Sequence, residues 1–203
     1  KRDILGKSME EIEQTLVSCF VKNLEFFKKK NRKVVVMPNP CSFEKGATNP
    51  NRTKEIIGVG QLNRYHLKGF DNLLEIAKTI EEKHPDWIFR IVGGGDTGRK
   101  ILEDKVQELQ IKNVEFTGFR TDIREILNKA EIYVLSSRTE GLPMTLLEAC
   151  SQGAACIAFD CISGPSDIIE HRENGLLISN QNNQEMIEGI CELIENSELR
   201  KKL

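Results

Sequence analysis

No Cys-x-x-Cys pair occurs in this 203-residue sequence. Its six cysteines, Cys19, Cys41, Cys150, Cys156, Cys161 and Cys191, are scattered. Most lie in apolar segments, where a free thiol behaves as a small hydrophobe. The expectation is a reducing, cytosolic setting without structural disulfides. The three histidines, His66, His84 and His171, show no ligand spacing with those cysteines, which argues against a zinc site. Charge of one sign is also wanting. The 29 Lys and Arg residues stand against 31 Asp and Glu, a net charge of −2, so the basic excess of a dedicated nucleic-acid binder is missing. No apolar run reaches the length of a transmembrane helix, and no segment reads as a signal peptide. There are no repeats at solenoid periods. The length allows one sizeable core and some extra chain. The sequence opens on Lys1 rather than Met, and we expect it to be a piece of a longer protein.

What is present is mostly alternation. Residues 9 to 30 place Ile12, Leu16, Cys19, Phe20, Leu24 and Phe27 at helical spacing. Ser8 with Glu11 makes a capping-box pattern, and Lys28-Lys29-Lys30 suits a helix end. That predicts an amphipathic helix at the edge of a preceding domain. The lysines around Phe26-Phe27 leave a peripheral membrane contact open as a second reading. Lys33 to Met37 reads as a strand stopped by Pro38-Asn39-Pro40, and residues 41 to 54 as a linker. From Glu55 apolar strands alternate with helices. Strands are expected at 56–60, 87–92, 114–117, 132–135, 154–159 and 175–178. Helices are expected at 70–82, 99–109, 122–128, from Pro143 to Gly153, at 166–171 and at 184–195. Such alternation predicts an α/β fold, a Rossmann-like doubly wound parallel sheet over 55–203, with ligands at the carboxyl ends of the strands. The expected division is 1–33 as the edge of another domain, 34–54 as strand and linker, and 55–203 as the ligand-binding domain.

Chemistry concentrates in Thr139-Glu140-Gly141-Leu142-Pro143-Met144-Thr145-Leu146-Leu147-Glu148. It follows the buried strand Ile132-Tyr133-Val134-Leu135. Pro143 suits the first helical position, so Glu140 lies on the loop and Glu148 inside the helix. The helix amides and dipole favour an anion at this end. Two carboxylates that accept hydroxyl protons, with an anion-friendly helix end between them, suit a sugar nucleotide. A solvated Glu is the plainer reading of either residue alone. A second stretch, Gly58 to Phe70, carries Arg64 and Lys68 after the first strand, where cations clamp a diphosphate. A third, Gly93-Gly94-Gly95-Asp96-Thr97-Gly98, satisfies G-x-G-x-x-G and raises a rival, a dinucleotide-binding oxidoreductase domain. It follows the second strand, however, and no acidic residue ends the next one, which finishes Thr117-Gly118-Phe119.

Glu140 and Glu148, separated by seven residues, together with Lys68-Gly69, Gly118-Phe119-Arg120 and Gly164-Pro165, resemble the retaining GT-B glycosyltransferases of group 4, specifically their C-terminal donor-binding domain. The resemblance spans about residues 34 to 200, and Pro38-Asn39-Pro40 matches the family's passage from acceptor to donor domain. It implies transfer of a sugar, a hexose type of transfer, from a nucleoside-diphosphate sugar to a glycan or lipid-linked acceptor. A UDP-sugar is the foremost donor, cell-surface polysaccharide assembly the setting, and the cytoplasm, at the inner face of the membrane, the place. Glu148 is implied to hold the ribose hydroxyls, Glu140 the transferred sugar, and Lys68 the leaving diphosphate. Amides from Gly141 through Leu142, Pro143, Met144 and Thr145 line the donor, and Phe119 faces the base. Gln61 stands where the family carries Gly-Arg, which leaves Arg64 as the substitute cation or that cation lost. The family needs no resident cofactor, and the lack of any Asp-x-Asp metal motif agrees. The acceptor domain is largely absent, so this piece alone is expected to be inactive. A nucleotide-sugar epimerase and a non-catalytic nucleotide-binding module stay open beside the oxidoreductase.

Overall fold

The computed structural model describes residues 16–18, 34–36 and 39–203, apart from positions 48 and 163. The chain forms two units that divide between Pro40 and Cys41. In the first, β1 (Leu16–Ser18) runs parallel to β2 (Val34–Val36), with Leu16 opposite Val34. This corrects the helix expected over 9–30 at those three residues. A short apolar run does not by itself distinguish strand from helix, and three consecutive valines offer it a ladder. The remainder of that expected helix, its capping box and its lysine run lie outside the described residues.

The second unit holds a six-stranded, wholly parallel sheet. Its strands are β3 (Thr53–Val59), β4 (Ile88–Val92), β5 (Val114–Gly118), β6 (Ala130–Leu135), β7 (Ala155–Phe159) and β8 (Leu176–Ile178), in the spatial order β5-β4-β3-β6-β7-β8. This is the doubly wound Rossmann order, and its topological switch point lies between β3 and β6. Adjacent strand residues face opposite ways, and the sequence uses both faces. Ile56, Ile91, Ile132 and Ile157 enter one core, while Ile57, Tyr133, Cys156 and Ala158 enter the other. The first core is closed by α2 (Phe70–Lys83), α3 (Asp96–Glu108) and α7 (Asn183–Glu195), and the second by α4 (Ile123–Lys129) and α5 (Met144–Ser151). Each fully buried Ile or Leu contributes about 1.5–3 kcal/mol, which is what holds helices on both sides.

Several boundaries differ from the sequence expectation. The 41–54 segment is not a free linker. Gly46 N donates to Ser151 O at 2.8 Å, and the Arg52 guanidinium donates to Ala130 O and to Gln152 O, each at 2.6 Å. Its last residues, from Thr53, are already strand. The 60–70 loop is a 3₁₀ turn, Leu62–Arg64, followed by a short helix, α1 (Tyr65–Lys68). Pro143 is the N-cap of α5 rather than its first residue. The backbone is still extended there, and its carbonyl accepts the first helical bonds, from Leu146 and Leu147. Asp122 stands at the start of α4 but does not cap it, because its carboxylate is taken by Arg120 at 2.5 and 2.8 Å. The four-residue α6 (Pro165–Ile168) starts from Gly164, and the chain beyond it turns so that His171 Nδ1 meets the backbone of Leu177. A last helix, α8 (Ser197–Lys202), was not foreseen; Asn196 caps it by accepting from Leu199 N at 3.0 Å. No helix among the described residues is long and apolar enough to cross a membrane.

Candidate functional site

Lys68 and Glu140, 72 positions apart, form an ion pair at the carboxyl edge of the sheet. Lys68 ends α1 behind β3, and Glu140 lies on the loop behind β6, so the two flank the switch point. Nζ of Lys68 is 2.7 Å from Oε1 of Glu140, and the side chains are 21% and 9% exposed. Ser137 Oγ donates to the same Oε1 at 2.6 Å. Ser136 Oγ donates to the Lys68 carbonyl at 2.9 Å, and both serines are buried. The loop that carries the acid is therefore tied to the helix that carries the base at backbone and side chain alike.

Arg138 sets that tie, and sequence reasoning missed it. Its backbone N–H donates to Leu67 O at 2.9 Å. Its guanidinium grips the Asp71 carboxylate with two bonds, 2.6 and 2.9 Å, reaches Asn72 Oδ1 at 2.9 Å, and also donates to the His66 carbonyl. Gln181 extends the network by accepting from Asn72 Nδ2 at 2.8 Å. A paired fork of this kind fixes geometry as well as adding attraction. Arg138→Ala should lower stability by on the order of 1–2 kcal/mol, read as a drop in urea midpoint with an unchanged slope. An unaltered midpoint would mean that the clamp is ornamental.

Glu148 is the fifth residue of α5. It is half-buried, and its carboxylate has no hydrogen-bond or ion-pair partner among the described residues. Its acceptor lone pairs thus remain open to a ligand. In the first turn the amides of Met144 and Thr145 have no acceptor within the helix, while Gly141, Leu142 and Pro143 form the approach to it. Thr145 is fixed from below, since its Oγ1 is 2.7 Å from the Tyr133 hydroxyl. Tyr133 is completely buried, and burial pushes its phenol well above the usual range. It stays neutral and serves as a post for the helix start.

A cavity of about 370 Å³ opens behind β3 and β4. Gly60, Gln61, Gly94, Phe119, Arg120 and Ile123 are among its walls. Phe119 is 78% exposed and so is not part of the core. Gln61 therefore faces the cavity at the position where a cation was looked for. Arg64 ends the 3₁₀ turn, exposed, without an ion-pair partner among the described residues and outside the wall of this cavity. The structure thus joins Lys68 to Glu140, keeps Gln61 and Phe119 together in the cavity, and leaves Arg64 and Glu148 unpaired among the described residues.

The glycine-rich turn has a packing explanation. A Cβ on Gly93 would come 1.7 Å from Gly60 O, and one on Gly98 would come 1.9 Å from Leu62 O. These residues are glycine because the turn after β4 and the first turn of α3 meet the 60–62 backbone at the sheet edge. The motif also follows β4 and not β3, the strand at the switch point. Among the described residues, His84, Cys191 and Glu195 are a group that could hold a metal, with ligand atoms all within 4.8 Å of one another. They lie at the far ends of α2 and α7, at the opposite edge of the sheet from Lys68, and their spacing in sequence gave no sign of it.

Residues 42–203 match the family model described as glycosyl transferases group 1. An uncharacterized glycosyltransferase of Haemophilus influenzae is 36% identical over 172 residues, covering 84% of this chain and 48% of that protein. The UDP-Gal:alpha-D-GlcNAc-diphosphoundecaprenol alpha-1,3-galactosyltransferase of Escherichia coli is 32% identical over 162 residues, covering 72% and 41%. Among solved structures, a mutant of S. aureus TarM in complex with Fondaparinux, alpha-GlcNAc-glycerol and UDP superposes with a TM-score of 0.85 at 21% identity, covering 98% of this chain and 42% of that one. The chain spans about half the length of the curated relatives it matches, or less.

Proposed function

The chain belongs to the glycosyl transferases group 1 family, and on that premise we propose that it is the donor-binding half of a retaining glycosyltransferase of GT-B type. Its donor is a nucleoside-diphosphate sugar, foremost a UDP-sugar, and its acceptor a glycan or a lipid-linked sugar held by a preceding domain. The observation that carries this reading is the Lys68–Glu140 pair beside the free amides of α5, with the open carboxylate of Glu148 behind them. UDP in the S. aureus structure and the diphospholipid-linked acceptor named for the E. coli enzyme support the choice of donor and acceptor class.

The chemistry follows from where charge develops. As the sugar–phosphate bond breaks, negative charge grows on the departing diphosphate. Lys68 and the first-turn amides of α5 are aimed at that charge from a partly dehydrated edge, where preorganised donors stabilise a transition state most. Glu140, held by Lys68 and Ser137, receives the hydroxyls of the sugar. Glu148 receives those of the ribose. The cavity beside Phe119 takes the base. No enzymatic nucleophile is assigned. The position and packing role of the glycine-rich turn weigh against the dinucleotide reading.

Calorimetric titration tests the proposal. The chain should bind UDP and should not bind NAD at comparable concentration. Incubated with a UDP-sugar and a lipid-linked or glycan acceptor, it should transfer nothing, since the reaction needs both substrates held in one geometry. Binding of NAD in preference to UDP would overturn the reading, and transfer by this chain alone would overturn the two-domain requirement.

A further inference from the structure

Cys150 and Cys156 take no part in the site above. Cys150 lies in the last turn of α5, two residues past Glu148, and Cys156 lies in β7, against which α5 packs. Their sulfurs are 3.4 Å apart and share a hydrogen bond. A disulfide requires about 2.05 Å, so the pair needs to close by roughly 1.4 Å. The two thiols are unequal. Cys156 is fully buried, whereas Cys150 is only partly so. The hydrogen bond between the two sulfurs holds the Cys150 thiol below its usual range. The same bond, followed by burial, pushes Cys156 well up. The Arg52 guanidinium, anchored on the carbonyls of Ala130 and Gln152, acts on Cys156 in the opposite sense and favours its thiolate. A partly buried, thiolate-prone sulfur touching a fully buried second sulfur has the asymmetry of an attacking and a resolving thiol.

We propose that Cys150 and Cys156 are a redox-modification site for low-molecular-weight disulfides, with Cys150 attacking and Cys156 resolving. The Cys150 thiolate attacks one sulfur of the small disulfide RS–SR, forming Cys150–S–SR and releasing RS⁻, which takes up the proton Cys150 has lost. Cys156 then gives up its proton and attacks the Cys150 sulfur, displacing the second RS⁻, which takes that proton. The two protein thiols are oxidised by two electrons, and one small disulfide is reduced to two thiols. The product ties the helix that carries Glu148 covalently to β7. The inference stands independently of the donor-site reading.

Oxidised glutathione is the probe. The native chain is incubated with it, blocked with an alkylating reagent, cleaved with trypsin and mapped by fragment-ion mass spectrometry. No Lys or Arg lies between Arg138 and Arg172, so both cysteines stay in one peptide. Wild type should lose two hydrogens between residues 150 and 156 and retain no glutathione there. Cys156→Ser should instead accumulate glutathione on Cys150. Cys150→Ser should leave Cys156 as a free thiol. Exposed Cys41 serves as the internal control for reagent activity. Retention of both thiols in wild type while Cys41 is modified would overturn the proposal. So would a glutathione adduct that persists on Cys150 of wild type, or no adduct on Cys150 in Cys156→Ser. The wild-type result does not depend on either variant folding.

Discussion

Lys68→Ala is expected to weaken binding of a nucleoside diphosphate roughly tenfold to a hundredfold, and binding of the bare nucleoside little. The ligand loses one charge-assisted bond, on the order of 1.5–3 kcal/mol, and each 1.4 kcal/mol is about a factor of ten. The contrast between the two ligands matters, because only one carries the phosphates. In the ligand-free chain Nζ is already 2.7 Å from Glu140. A diphosphate must therefore share that ammonium with a carboxylate or draw it away. Glu140→Gln removes the competitor, so a double-mutant cycle with Lys68→Ala should show coupling between the positions. Removing Lys68 also leaves Glu140, 9% exposed, with the Ser137 hydroxyl but without its cation. Because Lys68 itself is one-fifth exposed, water screens part of that loss. A stability cost of about 1–2 kcal/mol is expected, below the ~3–5 kcal/mol of a fully buried broken pair. Lys68→Arg tests whether charge alone suffices, since a planar fork places its donors differently from an ammonium. Equal weakening of nucleoside and nucleoside diphosphate by Lys68→Ala, measured by calorimetry, would put Lys68 away from the phosphates.

The parallel sheet could be read from the sequence because its inner strands bury both faces. Ile56-Ile57, Ile132-Tyr133 and Ala155-Cys156 are apolar pairs that no half-exposed strand would carry. The placement of the candidate loops at one sheet edge followed from the same pattern, since every polar loop singled out comes after a strand. What did not show was anything set by contacts distant in sequence. Arg138 looks like a solvated loop residue until α2 brings Asp71 and Asn72 to it. The Lys68–Glu140 pair joins two motifs that were each legible, but their pairing is a property of β3 lying beside β6. At shorter range, the residue at a helix start is not always its cap. A side chain that can cap a helix can also be claimed by a neighbour, as Arg120 claims Asp122. Leu16–Ser18 failed for another reason, since Leu-Val-Ser is too short to fix either period.

Glu148→Gln and Glu140→Gln are expected to act on different parts of one ligand. Glu148 has an open, half-buried carboxylate inside α5, and Glu140 sits on the loop at the mouth, already bonded to Lys68 and Ser137. Ribose hydroxyls are present in free UDP, so Glu148→Gln should weaken UDP by about 1–3 kcal/mol, the value of a hydrogen bond to a charged group. Glu140→Gln should not weaken UDP, because that ligand has no transferred sugar and the exchange only relieves the competition for Lys68. It should remove the extra affinity gained when the sugar is attached, and in the full-length enzyme it should lower turnover. Both exchanges keep the side-chain shape. The amide that replaces the Glu140 carboxylate retains one oxygen to accept from Lys68 and Ser137, so the loop should hold its position. Glu148 has no partner to lose among the described residues, so Glu148→Gln should leave the urea midpoint where it is. Two merely solvated carboxylates would behave otherwise, with neither exchange changing affinity for either ligand. Titrating wild type and both variants with UDP and a UDP-sugar separates these outcomes. If Glu140→Gln weakens UDP as much as Glu148→Gln does, the two carboxylates do not divide the ligand between them, and the loop and the helix bind the same end of it.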